Sequence, residues 1–176
     1  MNNAKGMTVV LTKSELIALL QKEVRILQHL ITKIDPAMLD YRPTPKQRST
    51  IELLKYLTNM GPTLVRYAKG QPLDAAAMNT AIETANARSF DETVAALAAQ
   101  ADVYVGLLAD MTDDDFRAET NEFDGLPVTR GEFMAFHVLG QCAAYRTQLF
   151  LYLKACGREE LNTMNLWVGM DGAIPA

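Results

Sequence analysis

Hydrophobic positions along most of this chain recur at intervals of three and four residues, which is the spacing of one face of an α-helix. Four long segments show this pattern, and their apolar positions begin at residues 16, 53, 94 and 134. Between them, no run alternates Val, Ile or Thr with polar residues in the manner of a β-strand bounded by turns. The pattern therefore predicts four long helices and no large sheet.

Each of the four segments follows a Ser or Thr that has a Glu three residues further along the chain. In such a capping box the hydroxyl accepts a hydrogen bond from a first-turn amide, and the Glu accepts one from the amide of the capping residue. The four pairs are Thr12 with Glu15, Ser49 with Glu52, Ser89 with Glu92, and Thr129 with Glu132. The agreement of cap and periodicity predicts where each helix begins.

Helices with this spacing pack at shallow angles, so we predict an all-α fold, an up-down four-helix bundle. The twenty residues from Lys69 to Arg88 are more than a compact domain usually leaves unstructured. We therefore expect a short extra helix near residues 75–84, between helices 2 and 3, covering one end of the bundle. Asp124-Gly125 is typical of a tight turn and predicts a small hairpin before Thr129.

The chain has 176 residues, of which 49% are hydrophobic, and this suits a single domain. We expect a flexible N-terminus over residues 1–11 and the bundle over residues 12–157, where Gly157 ends the last helix. Residues 158–176 form a C-terminal tail with the only tryptophan, Trp167. We expect this tail to pack on the bundle or on a partner subunit.

The formal net charge is −4 and basic residues form no patch, which argues against nucleic acid as a partner. No stretch approaches the length of a membrane span, and the first eleven residues lack the apolar run of a signal peptide, so we expect a cytoplasmic protein that does not bind membranes. Cys142 and Cys156 lie about 21 Å apart on one predicted helix, too far for a disulfide. Both are expected to be free thiols.

The segment from His137 to Tyr152 reads His-Val-Leu-Gly-Gln-Cys-Ala-Ala-Tyr-Arg-Thr-Gln-Leu-Phe-Leu-Tyr. It resembles the DinB-like (YfiT-like) superfamily of metal-dependent hydrolases, in which the corresponding helix reads approximately His-x-x-Asn-His-x-x-x-His-Arg-Gly-Gln. His137 matches the first His of that motif, whereas Gln141 and Tyr145 stand at the two later His positions. Arg146 and the Gln two residues after it also match.

The second predicted helix carries the other half of the resemblance. The family pattern is approximately Ser-Ile-x-Glu-His-Leu-x-His-Leu, and the chain has Ser-Thr-Ile-Glu-Leu-Leu-Lys-Tyr-Leu from Ser49. Tyr56 therefore occupies the position of the metal-binding His. The resemblance spans about residues 12–157 and implies the bundle fold, a homodimer, and a site between the helices.

All three metal-binding histidines of the family are thus replaced in this chain. A phenol has a pKa near 10 and an amide carbonyl is a weak neutral donor, so this trio would bind a transition metal poorly. We therefore expect no metal cofactor, and no other cofactor motif is present. Instead we expect a polar central cavity for a small molecule. Its expected lining residues are Glu52, Tyr56, His137, Gln141 and Tyr145.

Several single residues have two interpretations. Glu52 is either the end of a capping box or a catalytic acid, and His137 is either a lone general base or a hydrogen-bonded structural residue. Cys142 lies in mid-helix without a cationic neighbour, so we expect an inert thiol. His29 falls opposite the apolar stripe of helix 1, which predicts a surface position. Arg146 is expected at the surface or an interface, paired with an acid.

Three functions remain open at this point. The first is a metal-free bundle that binds a small molecule, without obvious chemistry. The second is a metal-dependent hydrolase or thiol-dependent transferase of the family's kind, with any metal held by His137 and carboxylates from loops. The third is a non-catalytic interaction module with a filled core.

Overall fold

Local hydrogen bonds fix the starts of the main helices. The computed structural model describes residues 11–172, so residues 1–10 of the expected flexible N-terminus and residues 173–176 of the tail lie outside it. All four predicted capping boxes are formed, which confirms the predicted helix starts. The helices are α1 (Lys13–Ile31), α2 (Thr50–Ala68), α3 (Ala75–Asn86), α4 (Phe90–Leu108), α5 (Arg130–Phe133), α6 (Gln141–Ala155) and α7 (Thr163–Trp167).

The apolar spacing of the last bundle segment predicted a uniform α-helix. The structure instead has a helix of mixed type there. After α5 the chain continues as a π-helical segment, Met134–Gly140, and then as α6, so that residues 130–155 form one helical run. A π-helical segment places more residues in each turn; such segments are rare and are frequently found at functional sites. Here it turns Met134, His137 and Val138 towards the interior.

Helices α2 and α4 are parallel neighbours. The side-chain amide of Gln100 donates to the carbonyl of Leu57 (2.7 Å), and the Lys69 ammonium donates to the carbonyl of Leu107 (2.6 Å). Both contacts join residues at matching heights, so the two helices point the same way. The strict alternation of directions in a simple up-down bundle therefore does not hold for this pair.

Two parallel neighbours need a connection that returns the chain to its starting end, and α3 is that connection. It runs antiparallel along α2, since Lys55 donates to the carbonyl of Asn86 (2.8 Å) and Asn59 to the carbonyl of Ala81 (2.8 Å). The predicted extra helix is thus present, but it lies along the side of α2 rather than across the end of the bundle. Asp74 caps it by accepting from the first amides.

The final helical run closes the bundle. It is antiparallel to α2, because Tyr145 contacts Tyr56 whereas Tyr152, two turns later, donates to the carbonyl of Arg48 before the start of α2. It is parallel to α1, because Arg146 binds Glu23 near the middle of α1 and the chain beyond α6 lies beside its end. In chain order α1, α2, α4 and α6 therefore run up, down, down and up.

The core lies where these four helices face one another. Its fully buried leucines come from every long helix, and each stabilises the fold by about 1.5–3 kcal/mol relative to exposure. Those with no exposed surface are Leu20, Leu30, Leu53, Leu54, Leu97, Leu108, Leu149 and Leu153. Among residues 11–172, no helix has the length and apolar character needed to cross a lipid bilayer.

The predicted hairpin is present before the final helical run. Strands β1 (Glu119–Asn121) and β2 (Pro127–Thr129) pair antiparallel, with Thr120 opposite Val128. Gly125 has a φ of +86°, a conformation that side chains disfavour, which explains the glycine in this turn. The hairpin ends at the Thr129 cap, so it holds its own residues near the start of the helical run.

The C-terminal segment packs against α1 and α6. Asn165 of α7 is 2% exposed and is hydrogen-bonded to His29 (3.0 Å) and Asp171 (3.0 Å). The predicted surface position of His29 is therefore wrong, since its side chain is only 15% exposed. Burial, as the largest cause, lowers the pKa of His29. The apolar pattern of α1 could not show the burial of His29, because the residues that pack over it are distant in sequence.

Candidate functional site

A groove runs along α2, between α3 on one side and the final helical run on the other. It has a volume of about 770 Å³. Successive turns of α2 form its floor, because residues three or four apart lie on one helix face. We call it the α2 groove. Its principal lining residues are Arg48, Ile51, Glu52, Lys55, Tyr56, Asn59, Met60, Leu64, Leu73, Met78, Ile82, Phe123 and Gln141.

Glu52 lies at the polar end of the groove and is engaged by its own helix start. Its carboxylate accepts from the Ser49 amide (2.8 Å) and from Arg42 (3.1 Å). The backbone hydrogen bond from Ser49, more than any other contact, lowers the pKa of Glu52. The carboxylate is therefore ionised at neutral pH and occupied by two donors, which supports the capping role over a catalytic one.

Tyr56 forms the centre of the groove floor and contacts Tyr145 of α6. The two rings meet edge to face at 5.2 Å between centroids, with an interplanar angle of 71°. The Arg48 guanidinium lies 3.9 Å from the centroid of the Tyr56 ring. Burial, and then the hydrogen bond with Tyr145, raises the pKa of Tyr56 to about 12. Tyr56 is therefore a neutral phenol at neutral pH.

Gln141 lines the groove beside this pair. It is the first residue of α6 and lies one turn before Tyr145, so its side chain projects from the same face of the helix. Of the three side chains at the family's ligand positions, Tyr56 and Tyr145 are in contact, and Gln141 lies one turn before Tyr145. Glu52, Tyr56 and Gln141 line the groove directly, whereas Tyr145 reaches it through its contact with Tyr56.

His137 lies apart from the α2 groove, in a cluster of aromatic rings below the hairpin. Its side chain is 11% exposed and its Nε2 atom is hydrogen-bonded to the carboxylate of Glu122. The rings of Phe123, Phe133 and Phe136 lie 4.5–4.9 Å from it between centroids. Of the five expected lining residues, Tyr145 and His137 do not line the groove; Tyr145 lies behind Tyr56, and His137 lies in this separate cluster.

Glu122 is the partner of His137 that the sequence analysis missed. It precedes the Asp124-Gly125 turn, fifteen residues before His137, and no local spacing joins the two. The predicted hairpin was the available signal, because a hairpin ending at the cap of a helix brings its first strand alongside that helix. The pair gives His137 the carboxylate that orients a general base, although the imidazole is largely buried.

A model of the DinB superfamily matches residues 19–140. The chain belongs to the DinB superfamily. Among solved structures, a DinB-like protein from Bacillus subtilis, YjoA, is similar with a TM-score of 0.63 and 16% sequence identity, covering 84% of this chain and 94% of that chain. At this identity the likeness shows the fold alone. No curated protein is similar at a significant level. The family resemblance and the all-α fold predicted from the sequence are confirmed.

The metal ion implied by the family resemblance does not fit the residues at this site. Tyr56 is a neutral phenol beside Tyr145, and Gln141 offers only an amide. Transition metals in proteins prefer imidazole, thiolate or carboxylate ligands. Within residues 11–172, His, Cys, Asp and Glu side chains form no group of three with the arrangement of a metal site.

Cys142 follows Gln141 but faces the interior. It is hydrogen-bonded to the buried hydroxyl of Tyr104. Burial raises the pKa of the Cys142 thiol to about 12, which leaves almost no thiolate at neutral pH. The raised pKa agrees with the predicted inert thiol, which stays a prediction.

Arg146 is the largest fully buried side chain described, with 1% exposure, so the surface alternative of its prediction is wrong. Its Nε and Nη2 atoms donate to the two oxygens of Glu23 (2.7 and 3.2 Å), and its Nη1 atom donates to the carbonyl of Leu166. The expected pairing with an acid of another helix is confirmed. In this member of the DinB superfamily the matching Arg thus joins α1, α6 and the C-terminal segment.

Proposed function

We propose that this DinB superfamily member binds a small molecule in the α2 groove without a resident transition metal. One observation carries the proposal. Tyr56, at the place that the family resemblance gives to a ligand histidine, is a neutral phenol in contact with Tyr145 and open to the groove. A phenol, an amide and a stacked guanidinium can orient a ligand by hydrogen bonding without an ion.

The size and lining of the groove support this proposal. Its volume of about 770 Å³ lies within the usual range of ligand pockets, about 300–1,000 Å³. Such pockets are mostly apolar with a few polar groups that fix orientation. The α2 groove has this composition, since Met60, Leu64 and Ile82 accompany Tyr56 and Gln141.

Metal content tests the metal-free part of the proposal. Elemental analysis of protein purified without chelator should find less than about a tenth of an equivalent of zinc, nickel or iron. Near-stoichiometric metal would contradict it. The variant Tyr56→His/Gln141→His/Tyr145→His should then gain a transition metal, because it restores imidazoles at the three ligand positions of the family resemblance. A variant with His at the exposed positions Gln71 and Glu83 is the control and should gain none.

Binding is tested by screening soluble small molecules against ¹⁵N-labelled protein. Shifts confined to residues of α2, α3 and Gln141 are expected for a ligand of the groove. Replacement of Ile82, which is 46% exposed, by Glu should abolish those shifts and leave the fold intact. Shifts that cluster elsewhere would argue against the groove as the site.

A hydrolase or transferase of the family's kind is the second candidate. The observation that favours it is the bond between His137 and Glu122, a carboxylate supplied by the hairpin. These two groups would act as base and orienting acid, or as two metal ligands. Glu122→Gln should then abolish activity on a model ester with little change in stability. A third candidate, a non-catalytic interaction module, gains support if the groove binds no small molecule.

We also propose a homodimer in the cytoplasm. Trp167 and Met170 are each 54% exposed in the C-terminal segment, and Leu151 of α6 is 58% exposed. Exposed apolar side chains of this size are typical of interfaces when they form a continuous patch. Light scattering should give twice the chain mass, and Trp167→Asp should shift it to the monomer. The two free cysteines suit a reducing compartment.

A further inference from the structure

The α2 groove has two chemically different halves. Towards the start of α2 it is lined by Arg48, Lys55 and the Tyr56 hydroxyl, opposite the end of α3. Towards the end of α2 it is lined by Leu64, and by Met78 near the start of α3. The antiparallel course of α3 along α2 produces this division, because it places the apolar first turn of α3 beside the apolar last turns of α2.

The polar half carries an excess of positive charge. Among the described lining residues Glu52 is the one acid, and its carboxylate is already bonded to the Ser49 amide and to Arg42 outside the groove. Arg48 is stacked on Tyr56, and Lys55 donates to a backbone carbonyl. The Tyr152 hydroxyl donates to the backbone carbonyl of Arg48 (3.0 Å), which fixes the chain at this end.

The apolar half leaves large apolar side chains partly exposed to water. Leu73 and Met78 are each 38% exposed and Ile82 is 46% exposed, and all three face the groove. From Tyr56 to Leu64 the floor is about 12 Å long at 1.5 Å per residue. An extended aliphatic chain of that length would remove these side chains from water.

We infer that the ligand of the α2 groove is a free single-chain amphiphile with an anionic carboxylate head, such as a medium-chain fatty acid. The head lies between Arg48 and Lys55, where the guanidinium can donate two parallel hydrogen bonds to a carboxylate. The chain lies along α2 towards Leu64 and Ile82. This inference rests on the proposed function and adds the chemical class of the ligand.

Calorimetric titration of the full chain with octanoate, 1-octanol and octylammonium tests the inference. Octanoate should bind about tenfold more tightly than 1-octanol, and octylammonium more weakly than either. The affinity for octanoate should fall as salt is added, because the paired charges are partly exposed.

Two pairs of substitutions locate the head. Arg48→Gln/Lys55→Gln should weaken octanoate about tenfold and leave 1-octanol unchanged. Lys22→Gln/Arg25→Gln removes the same charge from exposed positions on α1, which contributes no residue to the groove, and should change neither affinity. Ile82→Glu should weaken both ligands. All substituted side chains except Lys55 are exposed, and circular dichroism checks each fold.

The outcomes separate this inference from the proposed function. Equal affinity for octanoate and 1-octanol, with no effect of the Arg48 and Lys55 substitutions, would overturn the anionic head while Ile82→Glu still supported binding in the groove. Failure of all three probes would overturn the amphiphile. The proposed function would then fall only if the screen of soluble molecules also produced no shifts in the groove.

Discussion

The buried pair of Glu23 and Arg146 provides the sharpest test of the packing described above. Glu23→Ala removes the carboxylate that accepts two donors of a guanidinium with 1% exposure. Water cannot readily replace it, because the Glu23 side chain itself is only 14% exposed. The substitution therefore leaves a buried cation without its counter-charge.

The magnitude follows from this geometry. Breaking a buried ion pair from one side costs about 3–5 kcal/mol. The partial exposure of Glu23 places the expected loss in the free energy of unfolding near the lower end, about 3 kcal/mol. Glu23→Gln keeps one acceptor and should cost about 1–2 kcal/mol. Glu23→Leu/Arg146→Met leaves no unpaired charge and should be less harmful than Glu23→Ala.

Urea unfolding followed by two signals is the assay. Far-ultraviolet circular dichroism reports the helices, and the fluorescence of Trp167, the only tryptophan, reports the C-terminal segment. Arg146 lies 4.9 Å from the Trp167 ring and donates to the Leu166 carbonyl, so loss of its Glu23 partner should loosen that segment before the helices unfold. Glu83→Ala, at an exposed position of α3, is the control. A loss below about 0.5 kcal/mol for Glu23→Ala would refute the reasoning.

Three further predictions concern the core, the helix caps and the thiols. Gly61→Ala should lower the free energy of unfolding by about 1–2 kcal/mol despite the better helix propensity of Ala, because the new methyl group would overlap the Tyr104 hydroxyl. Adding Tyr104→Phe to this variant should recover part of the loss. An unchanged urea midpoint for Gly61→Ala would contradict the close approach of Tyr104 to Gly61. The carboxylates of the capping boxes have lowered pKa values in the folded state, chiefly through the cap amides, so their stabilising effect is complete above the unfolded pKa and disappears as pH falls through the folded value. The urea concentration at the unfolding midpoint should therefore decrease as the pH is lowered from about 5 to about 3, and a flat profile would disprove this. Replacing the four residues by Gln should make the decrease smaller. These residues are Glu15, Glu52, Glu92 and Glu132. Cys156 should react with a disulfide reagent at pH 8 before Cys142 does in the folded protein, because burial raises the pKa of its thiol less. The rates are measured by the released thiolate. Equal rates would show that Cys142 is not enclosed.

Helix existence and starting points could be predicted because their causes are local. A capping box joins residues three apart, and the apolar stripe behind it repeats within each turn. The resemblance to the DinB-like family, rather than this local pattern, placed Tyr56 and Tyr145 at one site, and the structure brings their rings to 5.2 Å. Local patterns failed for His29 and Arg146, because residues of the C-terminal segment bury both side chains. Those residues lie outside the helix in which each pattern was read.

The sequence alone determined the four capped helices, the hairpin turn at Asp124-Gly125, and the replacement of imidazoles by phenols and an amide. Tertiary structure decided that α2 and α4 run parallel, and hence that α3 lies along α2 and creates the groove. It also decided that His137 faces Glu122 rather than Tyr56. The physical reason is the sequence separation of the interacting residues. A hydrogen bond within one helical turn depends on neighbouring residues, whereas the direction of a returning helix depends on which apolar faces pack together across the whole bundle.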